Sequence, residues 1–154
     1  YIAPKLAIAT SIEISDDLET ATSYYMEEVE AIGHLIELSQ LPNHQFLFTI
    51  DEVFKGTNTV ERISAAKAIL EFLNQKNHLI LVSTHDLELT ELLGQNYDLY
   101  YFQESIEEQL LSFDYTIKRG ALKNKNAITI LEISGYPPSI IQEARKIAER
   151  FEKG

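Results

Sequence analysis

Two adjacent carboxylates, Asp51 and Glu52, close a short apolar run in the segment FLFTIDE, residues 46–52. A run that is almost wholly apolar has the pattern of a strand covered on both faces in a parallel sheet. Ligands of open α/β sheets bind outside the C-terminal ends of such strands, so the pair stands where a ligand arrives. In nucleoside triphosphatases the first carboxylate of such a pair holds Mg²⁺, usually through water, and the second polarises the attacking water. A strand that merely meets an acidic turn has the same local pattern.

A second apolar run, residues 78–82, ends in Ser83, Thr84 and His85. Adjacent parallel strands bring their C-terminal ends together, which would set His85 near Glu52. A histidine there can donate a hydrogen bond to a terminal phosphate or orient the water. The structural alternative is a helix start capped by Thr84 or Asp86. The third candidate is Ser23, which opens a helical pattern where unpaired backbone N–H groups and the helix dipole attract anions. Thr22 or Ser23 could equally be a simple N-cap, and the two roles are compatible. His34, His44 and His78 have no metal-ligand spacing and are read as surface or helix-end residues.

The elements that must position these groups follow from periodicity. Leu6, Ile8, Thr10, Ile12 and Ile14 alternate as a strand. Residues 23–41 read as a helix with Met26, Val29, Ile32, Gly33 and Ile36 on its apolar face, Glu27 and Glu28 near its positive end, and Pro42 and Asn43 as its stop. A helix over residues 60–75, with Ile63, Ala66, Leu70 and Leu73 on one face, joins the two apolar runs into a βαβ unit. Leu111, Phe113, Tyr115 and Ile117 alternate with polar residues as a half-solvated strand, with residues 97–102 as its hairpin partner. Residues 104–108 are expected to be a connection, too polar and short to form an element. A short helix over residues 126–134, ended by Gly135, precedes a helix that starts at Pro137 and Pro138. Ile140, Ile141, Ala144, Ile147, Ala148 and Phe151 form the apolar stripe of that last helix, which must cover the sheet or a partner.

The expected fold class is therefore α/β: parallel core strands with helices on the faces, an antiparallel hairpin and C-terminal helices. With 154 residues and 45% hydrophobic content the chain can bury a core, and no internal domain boundary is visible. Asp and Glu number 24 against 13 Lys and Arg, a formal charge of −11. That field repels a phosphate backbone, so this segment is not expected to grip DNA by itself. The only basic cluster is Lys118, Arg119, Lys123 and Lys125 around Gly120. There is no cysteine, which excludes disulfides and thiolate zinc sites. No stretch approaches ~20 continuous apolar residues. The expected location is the cytoplasm, without a membrane partner. The chain starts at Tyr1 and enters a strand within a few residues, so it is expected to be cut from something longer.

Taken in order, these segments resemble the ATPase domain of MutS-family DNA mismatch repair proteins, a branch related to the ATP-binding-cassette ATPases. DDL at residues 16–18 with TSYYMEEVE at residues 22–30 is similar to the family's signature segment. IDEVFKGTNT at residues 50–59 is similar to its Walker B and the Gly-Thr loop that follows, and STHDLELTEL at residues 83–92 to its histidine switch. Residues 119–145, with Gly120, Asn126-Ala127, Gly135-Tyr136-Pro137 and Glu143-Ala144-Arg145, share the family's character, so the likeness covers nearly the whole chain.

The resemblance implies a P-loop, ABC-like sheet that binds ATP and Mg²⁺. Asp51 would organise the metal through water, Glu52 would be the general base, and His85 would sense the terminal phosphate. Ser23 would act in trans, because ATPase domains of this family pair head to tail as a dimer. Gly56, Thr57 and Asn58 would lie in the loop linking the two sites. DNA would be bound by other domains of the parent, which would couple ATP binding and hydrolysis to binding a mismatch or related DNA structure.

Two departures qualify this. Lys55 stands where the family usually has Arg, and Asn58 where Ser is usual, which marks a divergent member. No G-x-x-x-x-G-K-[ST] occurs, so the chain reads as the C-terminal portion of the ATPase domain without its Walker A segment, inactive alone and with apolar surface left to cover. The alternative is a catalytically degenerate dimerisation or partner-docking module. A chromosome-organising or transporter ATPase fits less well, since those use a Gly-rich signature and residues 17–23 contain no glycine.

Overall fold

Alternation along the apolar runs decides which side of the sheet is closed. In a computed structural model, which describes residues 5–12, 24–107, 110–122 and 126–151, strands β1 (Ala7–Ser11), β2 (Phe46–Asp51) and β3 (Leu79–Ser83) form a parallel sheet in the order β1-β2-β3. The register pairs Ile8 with Leu47 and Leu47 with Leu79, and one step on Ala9 with Phe48 and Phe48 with Ile80. Residues sharing a register row point to the same face. Ala9, Phe46, Phe48, Ile50, Ile80 and Val82 all belong to one face, and all join the hydrophobic core.

Helices α1 (Tyr24–Ser39), α2 (Thr59–Asn74) and α3 (Leu87–Leu93) complete that core with Ile32 and Leu35, with Ala66, Leu70 and Leu73, and with Leu89 and Leu93. The expected βαβ unit is present as β2-α2-β3. Coverage of both faces is not: Ile8, Leu79 and Leu81, on the opposite face, are 71%, 52% and 54% exposed. The three helices all contribute to the Phe48 side, so the expectation of helices on both faces is corrected among the described residues.

The buried stripe of α1 is also rotated from the sequence reading. Glu28, Ile32, Leu35 and Ser39 are buried, whereas Met26 is exposed and Val29, Gly33 and Ile36 are only half-buried. The carboxylate and hydroxyl explain the miss, since both are polar groups on a core-facing stripe. Ser39 donates to the Ile36 carbonyl at 2.7 Å, which satisfies it within the helix.

The chain divides into two compact units, Tyr1–Tyr97 and Asp98–Gly154, where the sequence shows no boundary. In the second, the expected long strand is broken. Strand β4 (Tyr100–Tyr101) pairs antiparallel with β7 (Lys118–Arg119), and β5 (Glu104–Glu107) with β6 (Leu110–Phe113). The stretch expected to be a mere connection is thus a strand over Glu104–Glu107, which sets Ile106 opposite Leu111. Between β6 and β7 the Asp114 carboxylate accepts the Thr116 N–H at 2.9 Å, and Tyr115 takes a left-handed φ of 50°. That turn ends the alternation as a continuous strand.

Helix α4 (Ala127–Ile133) ends as predicted at Gly135, whose φ is 80°. The Tyr136 N–H donates to Leu131 O and the Gly135 N–H to Glu132 O, a Schellman closure that needs a left-handed residue. Helix α5 (Pro138–Phe151) buries Ile141, while Ile140, Ile147 and Phe151 of its stripe stay exposed. Among the described residues no helix is long and apolar enough to cross a membrane.

Candidate functional site

Asp51 is the last residue of β2 and is paired in register with Ser83, the last residue of β3. The two parallel strands end level, and the Ser83 hydroxyl donates to the Asp51 carboxylate. Glu52 then turns out of the strand with a left-handed φ of 59°, its N–H held by Ser83 O at 3.0 Å. Its carboxylate meets His85 Nδ1 at 2.6 Å. The strand ends therefore bring together Asp51, Glu52 and His85.

Because Nδ1 faces a carboxylate, that nitrogen carries the proton, and Nε2 is left as the ring atom for a further partner. The His85 side chain is 64% exposed and that of Glu52 22%, so the cluster is open to solvent on the histidine side. Lys55 Nζ lies 3.9 Å from both Asp51 and Glu52, close enough to offset their mutual repulsion. Asp86, a possible cap in the sequence reading, occupies the N-cap position of α3 without a side-chain cap bond. It instead takes a two-pronged contact from Arg62, with Nε to Oδ2 at 2.8 Å and Nη2 to Oδ1 at 2.7 Å. That hydrogen bond to Asp86 raises the Arg62 pKa further above its ordinary value. Asp86 Oδ1 is also 3.9 Å from His85 Nε2, so the pair stands directly behind the histidine.

The loop after Glu52 is held from two sides. Both oxygens of the buried Glu28 accept from it, Oε1 from the Lys55 N–H at 2.8 Å and Oε2 from the Gly56 N–H at 3.1 Å. A Cβ at Gly56 would lie 3.1 Å from the Tyr25 Cβ, so any other residue there would need a shift of a few tenths of an ångström against α1. Thr57 and Asn58 serve the start of α2. The Asn58 Oδ1 accepts the Glu61 N–H at 3.0 Å, and the Glu61 carboxylate accepts from Thr57 Oγ1 at 3.2 Å, a capping arrangement.

Ser23, the remaining candidate, lies outside the described residues, as do the DDL segment and Lys123 and Lys125. The described part of the basic cluster is paired within its own unit: Lys118 meets Asp114 at 3.0 Å and Arg119 meets Asp98 at 3.1 Å. His78, expected at the surface, is half-buried. Its Nδ1 accepts the Phe46 N–H at 3.3 Å and its Nε2 meets Ser39 O at 3.1 Å, tying β2 to the end of α1.

Glu28, Arg62 and Asp86 were missed as site residues. A charged residue at the i, i+4 and i+7 spacing of Glu28, Ile32 and Leu35 was the available signal for the first. No local pattern pairs Arg62 with Asp86, which are 24 residues apart.

Among the described residues no three His, Cys, Asp or Glu side chains converge as a metal cage. The donors present suit an ion that keeps most of its water: one strand-end carboxylate, Asp51, beside the Ser83 hydroxyl. Mg²⁺ is commonly held in that way, through one or two carboxylates together with substrate phosphates.

A parallel α/β unit with two carboxylates and a histidine gathered at the C-terminal edge of its strands carries polar groups at the edge where ligands of open α/β sheets bind. The sequence model of MutS domain V matches residues 2–152, and the chain belongs to that family. It is 31% identical over 153 residues to human (Homo sapiens) MutS protein homolog 4, covering 94% of this chain and 16% of that protein. With the DNA mismatch repair protein MutS of Aquifex pyrophilus the identity is 30% over 149 residues, 95% of this chain and 17% of the relative. The chain thus spans about a sixth of the length of these relatives.

Proposed function

We propose that this chain is part of a P-loop, ABC-like ATPase domain that couples ATP binding and hydrolysis to DNA binding in a MutS-type mismatch-handling protein. The observation that carries the reading is the Glu52–His85 contact of 2.6 Å beside Asp51, at the level ends of two parallel strands. Family membership supports it, because the relatives include proteins named for DNA mismatch repair.

In this reading Asp51, steadied by Ser83, would hold Mg²⁺. The metal would supply charge neutralisation of the phosphates. Glu52 accepts a proton from water as the water oxygen attacks the terminal phosphorus, and the bond from that phosphorus to the bridging oxygen breaks to leave ADP and phosphate. His85 Nδ1 orients the Glu52 carboxylate, and the ring would donate to the terminal phosphate from Nε2 only when both of its nitrogens carry protons. The Gly56-Thr57-Asn58 loop lies between this site and that of a second copy, whose Ser23 reaches the phosphate across a dimer interface. DNA is held by other domains of the parent, in keeping with the charge of −11 here.

The test is ATP turnover by the intact gene product. Glu52→Gln should slow hydrolysis by about a hundredfold or more while ATP binding persists, since a general base contributes on that scale. Unchanged turnover in that variant overturns the role.

A docking module is the second reading, favoured by the exposed sheet face of Ile8, Leu79 and Leu81. It predicts association without hydrolysis. Light scattering together with absent ATP turnover would select its dimerising form, and a strictly monomeric protein would remove that form.

A further inference from the structure

The backbone between Glu52 and Gly56 is not one that its residues would adopt alone. Glu52 and Phe54 have φ of 59° and 60°, left-handed values for two side-chain-bearing residues within three positions. Such a residue is strained and persists only where surrounding contacts over-determine it. Ser83 O and His85 hold Glu52 itself, and the contacts on the rest of the segment come from α1. Glu28, buried although charged, takes the successive N–H groups of Lys55 and Gly56 on its two oxygens. The Tyr25 ring meets Phe54 edge-on at 5.7 Å, and a Cβ at Gly56 would lie 3.1 Å from the Tyr25 Cβ and 3.3 Å from its Cα.

We propose that Glu28 is a positioning residue for Glu52: by gripping the Lys55 and Gly56 amides it fixes the loop that aims the Glu52 carboxylate, and it makes the pose of that carboxylate depend on where α1 sits. This rests on the ATPase reading above and adds a device to it. A displacement of α1 is passed to Glu52 through these two hydrogen bonds. The bond pattern explains why the residue must be a carboxylate. Two converging N–H donors need two acceptor oxygens, and an amide supplies one oxygen and turns a donor toward the other N–H.

The experiment compares Glu28→Gln, Glu52→Gln and the unaltered intact gene product. Steady-state ATP hydrolysis is measured together with amide hydrogen exchange over residues 53–58. Glu28→Gln should lower kcat by about tenfold to a hundredfold, the scale set by misplacing a reacting group by about 1 Å, with KM for ATP within about twofold. Exchange should rise in residues 53–58 and stay unchanged in α2. A rise in KM with kcat preserved, or unaltered exchange in that segment, overturns the proposal. If Glu52→Gln leaves turnover unchanged, or the unaltered protein has none, the ATPase reading fails and the exchange result alone decides whether Glu28 holds the loop. Should Glu28→Gln not fold, Gly56→Ala tests the same clasp from the other side, where the added Cβ, 3.1 Å from the Tyr25 Cβ, shifts the loop against Tyr25 by a few tenths of an ångström. It should give the same fall in kcat, and normal kcat in that variant counts against the proposal.

Discussion

The two units of the chain solve the burial problem differently. Among the described residues of the first unit, two helices of 16 residues and one of 7 close a single core in which Phe48, Leu70 and Leu73 are 0% exposed. Residues 98–154 contain strands of two and four residues, and Ile141 is the one hydrophobic side chain buried there among those described. Phe102, Phe113, Tyr115 and Phe151 are all more than half exposed. The candidate site lies wholly on the first unit. A carboxylate and a histidine can be held at 2.6 Å only where the strands beneath them are locked by packing, and β2 and β3 meet that condition through Phe48, Ile50 and Val82.

The largest effect that could break this comparison is loss of a ring. Phe48→Ala should destabilise the chain by about 3–5 kcal/mol, the usual cost of emptying a closed aromatic site. Phe113→Ala, at a position 53% exposed, should cost far less. Urea unfolding of both variants checks it, and equal losses would mean that the second unit is as tightly built as the first.

The Arg62–Asp86 pair sharpens the same point for polar contacts. Their side chains are 13% and 8% exposed, so removal of one partner strands the other in a poorly hydrated place. Asp86→Ala should cost about 3 kcal/mol, whereas replacing both with apolar residues should recover much of the loss. A double-mutant cycle measures the coupling. A single-variant loss below about 1 kcal/mol would show a pair screened like a surface one.

This pair also marks where the sequence stops being legible. Asp51, Glu52 and His85 could be placed together in advance because all three lie at strand ends, and a parallel register brings strand ends level. Periodicity likewise gave β2, α2 and β3 to within a residue or so. The open face of the sheet could not be read, because Leu79 and Leu81 have the same apolar pattern whether or not a helix covers them. Nor could β5 be read from Glu104, Ser105 and Glu107, whose polarity suits a connection and is outweighed by the pairing of Ile106 with Leu111. Glu28 reads as a helix-end charge because local sequence carries only the dipole of its own helix, not the two amides 27 and 28 residues away that need an acceptor.

The smallest effect concerns Tyr97, the last residue of the first unit. Its hydroxyl donates to Leu70 O at 2.8 Å, and burial pushes its pKa up from 10.0 to about 12, with Glu71 adding to the rise. A raised phenol pKa means that the folded state keeps its proton where the unfolded chain has lost it. The stabilisation from holding that neutral phenol is fully present below the ordinary value of 10.0 and is lost as pH climbs through about 12. Tyr97→Phe should cost about 1 kcal/mol at neutral pH, the net worth of one hydrogen bond. It should also remove this residue's share of the alkaline loss, so the gap between variant and parent in urea midpoint narrows across that window. A gap that stays constant to high pH would mean that the hydroxyl is solvated, and that the closed core of the first unit ends before Tyr97.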